Sequence, residues 1–264
     1  MSSPVITFLS DYGYRDEFVG VCHGVIASRC PQARIIDITH GIALGDIRAG
    51  ALALRAALPY MPAGVHLAVV DPGVGGSRRA IALQTAQGPR FLVGPDNGLL
   101  GLAGAELFGG IAAAYDLGEG PEALRPGCAT FAGRDVFAPV AGALAAGVPI
   151  TDLGQEIARD GLVGLELPVA EVDGDLLIVP VLSIDGYGNV ALADVDLGSA
   201  SALLVESGGR ESEVAVGSTF GDVPAGELVA YLDSRGARAI ALNGGSAAER
   251  LGLAVGDVVR VRRR

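Results

Sequence analysis

Two nearly continuous apolar runs, Val5–Leu9 and Val65–Val70, each break off at an aspartate inside a turn. The turns are Ser10-Asp11-Tyr12-Gly13 and Asp71-Pro72-Gly73. A run of five or six residues is too short for a helix core. Because it also lacks polar alternation, it reads as a strand covered on both faces, the situation of a parallel sheet. Helical stripes fall between such runs. Phe18, Cys22, Val25 and Ile26 recur at helical spacing after the first, and Arg34–Ile38 reads as the next strand. Ile47, Ala51, Leu54 and Leu58 form a second stripe, with Asp46 near its start and Pro59 after it. Ile81–Leu83 and Phe91–Val93 read as further strands, and Arg134–Ala146 as a helix with Phe137, Val140, Ala141 and Leu144 on one face. Strand and helix in succession imply an α/β unit with a mostly parallel sheet.

The pattern changes after Leu165. Seven short strands are predicted: Leu176–Leu182, Val190–Ala193, Ala202–Val205, Glu213–Val216, Leu228–Leu232, Ala239–Leu242 and Val258–Val261. Asp185-Gly186, Gly208-Gly209 and Asn243-Gly244 mark turns between them, and Ser246 to Glu249 reads as a capping box before Leu251. Spacing near ten residues implies a small barrel or sandwich. The expected division is residues 1–165, α/β, and residues 166–264, all-β.

Composition narrows the function. Half of the 264 residues are hydrophobic, so a large core is available, and no apolar run reaches membrane-spanning length. Residues 1–10 carry no basic region or cleavage pattern, so no secretory signal is expected. A net charge of -11 disfavours nucleic acid as a partner. The basic residues Arg260, Arg262, Arg263 and Arg264 are expected to be a frayed terminus. Cys22, Cys30 and Cys128 show no disulfide or thiol–zinc pattern, as expected for reduced cytoplasmic thiols.

In open α/β sheets ligands bind beyond the carboxyl ends of the strands, where Asp11 and Asp71 lie. A carboxylate there either caps its turn or accepts two bonds from a vicinal diol such as a ribose. The loop Asp71-Pro72-Gly73-Val74-Gly75-Gly76-Ser77-Arg78-Arg79 has no P-loop Lys-Ser/Thr pair. It is expected to bend so that Arg78 returns over Asp71. His23 and His66 read as packing or surface residues, whereas His40, after Asp37-Ile38-Thr39, could line the site. There is no HExxH or HxxxH and no GxSxG, so metal hydrolysis and covalent catalysis have no sequence motif. Asp185-Gly186-Tyr187-Gly188-Asn189 and Tyr231 with Ser234-Arg235-Gly236 occupy turns of the second part. There Arg235 either binds a carboxylate or is solvated.

Taken in order, Phe8-Leu9-Ser10-Asp11-Tyr12-Gly13, the Asp71 loop with Arg78, Gly94-Pro95-Asp96-Asn97-Gly98, Thr130-Phe131-Ala132-Gly133-Arg134-Asp135, Asp185–Asn189 and Asn243-Gly244-Gly245-Ser246-Ala247 make one pattern. It resembles the S-adenosylmethionine (SAM) hydroxide adenosyltransferases, or SAM hydrolases, relatives of the fluorinase and chlorinase. The resemblance spans essentially the whole chain. It implies a large α/β/α domain followed by a small β-barrel-like domain, in a homotrimer whose substrate lies between one subunit's large domain and a neighbour's small domain. The implied reaction is hydrolysis of SAM to adenosine and L-methionine by water or hydroxide at the ribose C5′, with SAM as substrate and no cofactor or metal.

The resemblance also implies roles. Asp11 would chelate the ribose hydroxyls, and Asp71 with Arg78 would position and activate water. Asp185 and Asn189 would contact the methionine end, joined by Tyr231 and Ser234. Phe220 would lie against the adenine, and the Asn243-Gly244 backbone would meet its edge. Asp71 stands where the halogenases carry Tyr, which favours hydrolase over halogenase. Two positions depart. Ala132 occupies the place of the family's catalytic His, by engineering or by natural loss, which would impair turnover or leave only a SAM- or adenosine-binding protein. Ala239 stands where these hydrolases often carry Glu, while Ser234-Arg235-Gly236 resembles the halogenase clasp for the methionine carboxylate.

Overall fold

The computed structural model describes residues 3–88, 90–118 and 130–264, and Cys128 lies outside them. The chain divides into two compact units, Met1–Leu165 and Glu166–Arg264.

In the first unit seven strands form one sheet. In chain order they are β1 (Val5–Ser10), β2 (Arg34–Thr39), β3 (Val65–Val69), β4 (Ala80–Thr85), β5 (Phe91–Pro95), β6 (Ile111–Asp116) and β7 (Gln155–Ile157). Their spatial order is β2-β1-β3-β5-β4-β6-β7. The β2, β1, β3 and β5 ladders are parallel, whereas β4, β6 and β7 pair antiparallel. The mostly parallel sheet expected thus carries antiparallel strands on one side. The reason is local: β4 and β5 are joined by a short hairpin connection, which permits only antiparallel pairing. β6 and β7 were not foreseen in the sequence, since Ile111-Ala112-Ala113-Ala114 carries little strand signal.

Helices cover both faces, as the unbroken apolar runs require. Ile6, Phe8, Val65, Leu67 and Val69 face α1 (Phe18–Arg29) through Val19, Cys22 and Ile26, and a later helix through Val140, Ala141 and Leu144. Leu9, Ala68 and Val70 alternate to the other face and pack with Leu54 of α2 (Ile47–Ala57) and Ala103 of α3 (Gly101–Glu106). Asp46 starts α2 as expected, its Oδ1 accepting from the Ala49 amide at 2.9 Å. The segment read as one helix from Arg134 begins instead with a π-helical turn, Gly133–Phe137, followed by α4 (Ala138–Ala145). A π-turn at such a place often marks a functional site.

In the second unit the strands are β8 (Glu171–Asp173), β9 (Leu176–Ile184), β10 (Val190–Leu192), β11 (Ala202–Ser207), β12 (Arg210–Val216), β13 (Leu228–Leu232), β14 (Arg238–Leu242) and β15 (Val258–Arg263). Seven of them close into a barrel, β10-β14-β13-β12-β11-β15-β9 and back to β10, and β8 extends β9 outward. Closure leaves the barrel strands no free edge. Leu177, Val179, Val181, Val205, Val214, Ile240, Val259 and Val261 alternate into the interior.

One terminal expectation fails. Arg260, Arg262 and Arg263 are not a frayed tail but part of β15, hydrogen-bonded between β11 and β9. The Arg260 and Arg262 side chains alternate with buried Val259 and Val261. Arg260 lies 3.7 Å from Glu206, Arg262 3.5 Å from Glu211, and Arg263 Nη2 donates to the Asp196 carbonyl at 2.7 Å. The charge run hid only the far end of the strand expected at Val258–Val261, which continues to Arg263.

Candidate active site

Asp11 directly follows β1, and its amide donates to the Val69 carbonyl at 3.3 Å, which continues the β1–β3 ladder by one residue. One carboxylate oxygen, Oδ2, accepts from the Gly45 amide at 2.9 Å. That bond orients the side chain and leaves Oδ1 for a further donor. The Gly45 loop in turn runs beside Pro72, so the Asp11 and Asp71 turns are neighbours at the same sheet edge.

The Asp71 loop folds back as the sequence suggested. Arg78 Nε donates to both Asp71 oxygens at 3.0 Å, and Nη2 to Oδ2 at 2.5 Å. The two side chains are largely buried, 17% and 6% exposed. A forked guanidinium fixes the plane of the carboxylate as well as its position. The Arg78 guanidinium also lies 5.5 Å from the Phe137 ring centroid, so the π-turn supports it from beneath. Asn97 holds the strand end in place: its Nδ2 donates to the Val70 carbonyl at 2.9 Å.

Tyr12 was missed by the sequence reading, although it adjoins Asp11. Its ring packs edge-on against Phe8, Phe18 and Phe131. Burial first, then the charges of Asp11 and Asp71 among others, raise its pKa, so the phenol stays protonated. A Cβ on Gly133 would sit 2.1 Å from the Tyr12 hydroxyl. Glycine is therefore required there for close approach. Ala132 immediately precedes Gly133. Ala132 is half-buried and offers only a methyl group.

His40 does not line the site but lies fully buried beneath it. Its Nδ1 is 2.7 Å from Ser10 Oγ, and its carbonyl accepts from the Gly13 amide at 2.7 Å. Burial lowers its pKa, opposed by Asp37. His66 is a packing residue, as read, with Nδ1 3.0 Å from Thr7 Oγ1. His23 is partly exposed and pairs with Asp37 at 2.9 Å.

In the barrel unit, Asp185 serves first as the cap of its own turn. Oδ1 accepts from the amides of Tyr187 and Asn189 at 2.9 and 3.0 Å, and Oδ2 from Asn189 Nδ2 at 2.8 Å. Gly188, at φ +81°, abuts Ser246, and its carbonyl accepts from the Ala248 amide at 2.9 Å. The Asp185–Asn189 turn thus packs on the start of α5 (Ala247–Leu251), immediately after Asn243-Gly244. Asn243 Nδ2 donates to the Val223 carbonyl at 2.8 Å and ties down the turn that carries Phe220. The Phe220 and Tyr231 rings meet edge-on at 5.1 Å. Phe220 remains 43% exposed, an aromatic face open to a ligand. Burial, with the charges of Asp233 and Asp185, raises the Tyr231 pKa.

Ser234 is exposed, and Arg235 Nε lies 3.6 Å from Asp233 Oδ2, a loose pair that leaves the guanidinium accessible. Ala239 is buried opposite Tyr231 in the β13–β14 ladder. A longer acidic side chain there would enter the cluster of Val223, Val229, Tyr231 and Ala241.

Comparison with known proteins then settles the lineage. The SAM hydroxide adenosyltransferase N-terminal domain matches residues 6–154, and the corresponding C-terminal domain matches residues 179–260. The chain belongs to the SAM hydroxide adenosyltransferase family. It is 49% identical to an (R)-S-adenosyl-L-methionine hydrolase of Salinispora tropica, over 98% of each chain. Identity to a Nocardia brasiliensis fluorinase is 31%, over 98% of this chain and 97% of that one. A crystal structure of an uncharacterized conserved protein from Thermotoga maritima matches at TM-score 0.87 and 35% identity, over 98% of this chain and all of that one. Within this hydroxide adenosyltransferase, Asp71 is the residue that the Arg78 fork holds.

Proposed function

We propose that this chain hydrolyses SAM to adenosine and L-methionine by attack of water or hydroxide on the ribose C5′. The observation that carries the reading is the forked Asp71–Arg78 pair beside Asp11 at the β1–β3 edge. Identity of 49% to a named SAM hydrolase, against 31% to a fluorinase, supports the hydrolytic outcome.

The chemistry asks little of the protein. A sulfonium leaves as a neutral thioether, so the sulfur needs no proton. The new C5′–O bond forms as the C5′–S bond breaks, its electron pair going to sulfur, and the water proton passes to solvent or a nearby acceptor. What the enzyme supplies is in-line position and partial dehydration of the oxygen nucleophile. Asp71, clamped by Arg78, accepts a hydrogen bond from that water. Asp11 accepts the ribose hydroxyls through its free oxygen. Phe220 lies against the adenine and the Asn243-Gly244 backbone meets its edge. Asp185, Asn189, Tyr231, Ser234 and Arg235 hold the methionine end. The enzyme works in the cytoplasm as a homotrimer and uses no cofactor. Among the described residues no helix is long and apolar enough to cross a membrane.

Ala132 favours one secondary reading, a protein that binds SAM or adenosine but turns over slowly. Incubation with SAM in the presence of chloride or fluoride, followed by chromatography, separates the outcomes. Adenosine and methionine in equal amounts support hydrolysis. A 5′-halo-adenosine supports the halogenase, and unchanged SAM supports binding alone. Light scattering at three times the chain mass supports the trimer, and a monomer that binds SAM one-to-one overturns it.

A further inference from the structure

His23, Asp37 and His40 come from two elements and the turn after them, and they meet at one point. His23 lies on α1, Asp37 on β2, and His40 just past the end of β2. Asp37 Oδ1 is 2.9 Å from His23 Nε2 and 3.2 Å from His40 Nε2. The three potential ligand atoms lie within 4.8 Å of one another. A tetrahedral ion with bonds of about 2.0–2.1 Å holds its donors roughly 3.3–3.4 Å apart, so the cluster needs only small adjustments to enclose one.

A second observation points at the same spot. His40 Nε2 is fully buried, 3.2 Å from Asp37 Oδ1, and makes no hydrogen bond of good geometry. The rest of its ring is held firmly. Nδ1 meets Ser10 Oγ at 2.7 Å, and the Phe8 and Tyr14 rings pack edge-on at 4.6 and 5.1 Å. In the tautomer with hydrogen on Nδ1, the Ser10 hydroxyl accepts it and Nε2 carries the lone pair, the arrangement in which a supported histidine binds a metal.

We propose that His23, Asp37 and His40 bind a divalent transition-metal ion of the zinc type. Two imidazoles and one carboxylate suit zinc and its neighbours and disfavour calcium or magnesium, which prefer all-oxygen shells. His23 and Asp37 are one-third and just over one-quarter exposed, so the ion reaches the site from solvent and keeps a water as its fourth ligand. The ion joins α1 to the end of β2. Because the His40 carbonyl holds Gly13, it also stiffens the Ser10–Gly13 turn that presents Asp11. This site is separate from the proposed hydrolytic chemistry and stands or falls without it.

The test uses tag-free full-length chain stripped with a chelator. Zinc is titrated in competition with a chromophoric chelator, and cobalt(II) is titrated while the visible spectrum is recorded. The proposal expects one equivalent per chain, the intense visible bands of four-coordinate cobalt, and a Tm raised by zinc. His23→Ala and Asp37→Asn, both partly exposed, should each weaken zinc binding at least about tenfold. Each should also lose the zinc-dependent rise in Tm. No stoichiometric binding by the parent chain, or undiminished affinity in both variants, overturns the proposal. So does a weak six-coordinate cobalt spectrum. Any of these leaves a hydrogen-bonded His–Asp–His cluster without an ion. Melting with chelator present shows whether each variant is folded, so a misfolded His40→Gln does not decide the matter.

Discussion

Arg78→Lys keeps the charge beside Asp71 and removes the fork. The guanidinium makes three contacts to one carboxylate, at 3.0, 3.0 and 2.5 Å, between side chains that are 17% and 6% exposed. A lysine ammonium is a point donor and cannot span both oxygens in the same plane. At least one charge-assisted bond is lost, worth about 1.5–3 kcal/mol. If that bond orients Asp71 towards the nucleophile, the loss appears in the barrier and corresponds to about 10- to 150-fold in turnover. Arg78 touches no ribose-binding group, so adenosine affinity should stay within about twofold of the parent, well under the tenfold that 1.4 kcal/mol represents. The assay is adenosine release at saturating SAM, with adenosine binding by calorimetry and Tm as controls. Turnover within about threefold of the parent, in a variant that is folded and binds adenosine normally, refutes the claim that the fork positions Asp71.

Asp11→Ala should weaken adenosine binding at least about tenfold, because a carboxylate–hydroxyl bond is worth about 1.5–3 kcal/mol; unchanged calorimetry would remove Asp11 from the ribose site. Ala132→His should raise kcat by about 10²–10⁴-fold, the usual worth of general-base help, with ligand affinity nearly constant. A rise below threefold would show that Asp71 and Arg78 suffice. His66 is buried neutral with its pKa lowered to about 4, mainly by desolvation. The unfolded chain then binds more protons below about pH 6.5, so this contribution to stability is complete above that value and is lost as the pH falls towards 4. His66→Asn should flatten the fall in denaturation midpoint across that window, and an unchanged slope would contradict it.

Legibility varied with the range over which each signal acts. Asp11 and Asp71 could be placed at strand ends because a buried strand needs a continuous apolar run and the turn that ends it needs polar residues. The return of Arg78 to Asp71 was legible because the glycine-rich loop can bend sharply and opposite charges seven residues apart hold each other once paired. β6 was missed because its alanines carry no strand preference and gain their place from pairing with β4. Arg260, Arg262 and Arg263 looked like a loose tail because charge dominated the reading. Only closure of the barrel made Val259 and Val261 an interior face.

Local order, the two-part division and the family pattern are properties of residues near one another in the chain, and these the amino-acid order determines by itself. Meetings across segments were decided by the tertiary structure. Tyr12 against Gly133 needs the turn after β1 and the start of the π-helical turn to converge, and only the absence of a Cβ lets them do so. His23, Asp37 and His40 match no ligand motif because β2 must first be laid beside β1, under α1, before their nitrogen and oxygen atoms face one another. Such contacts carry no spacing in the sequence, because the sheet pairing that brings them together is set by packing over the whole unit.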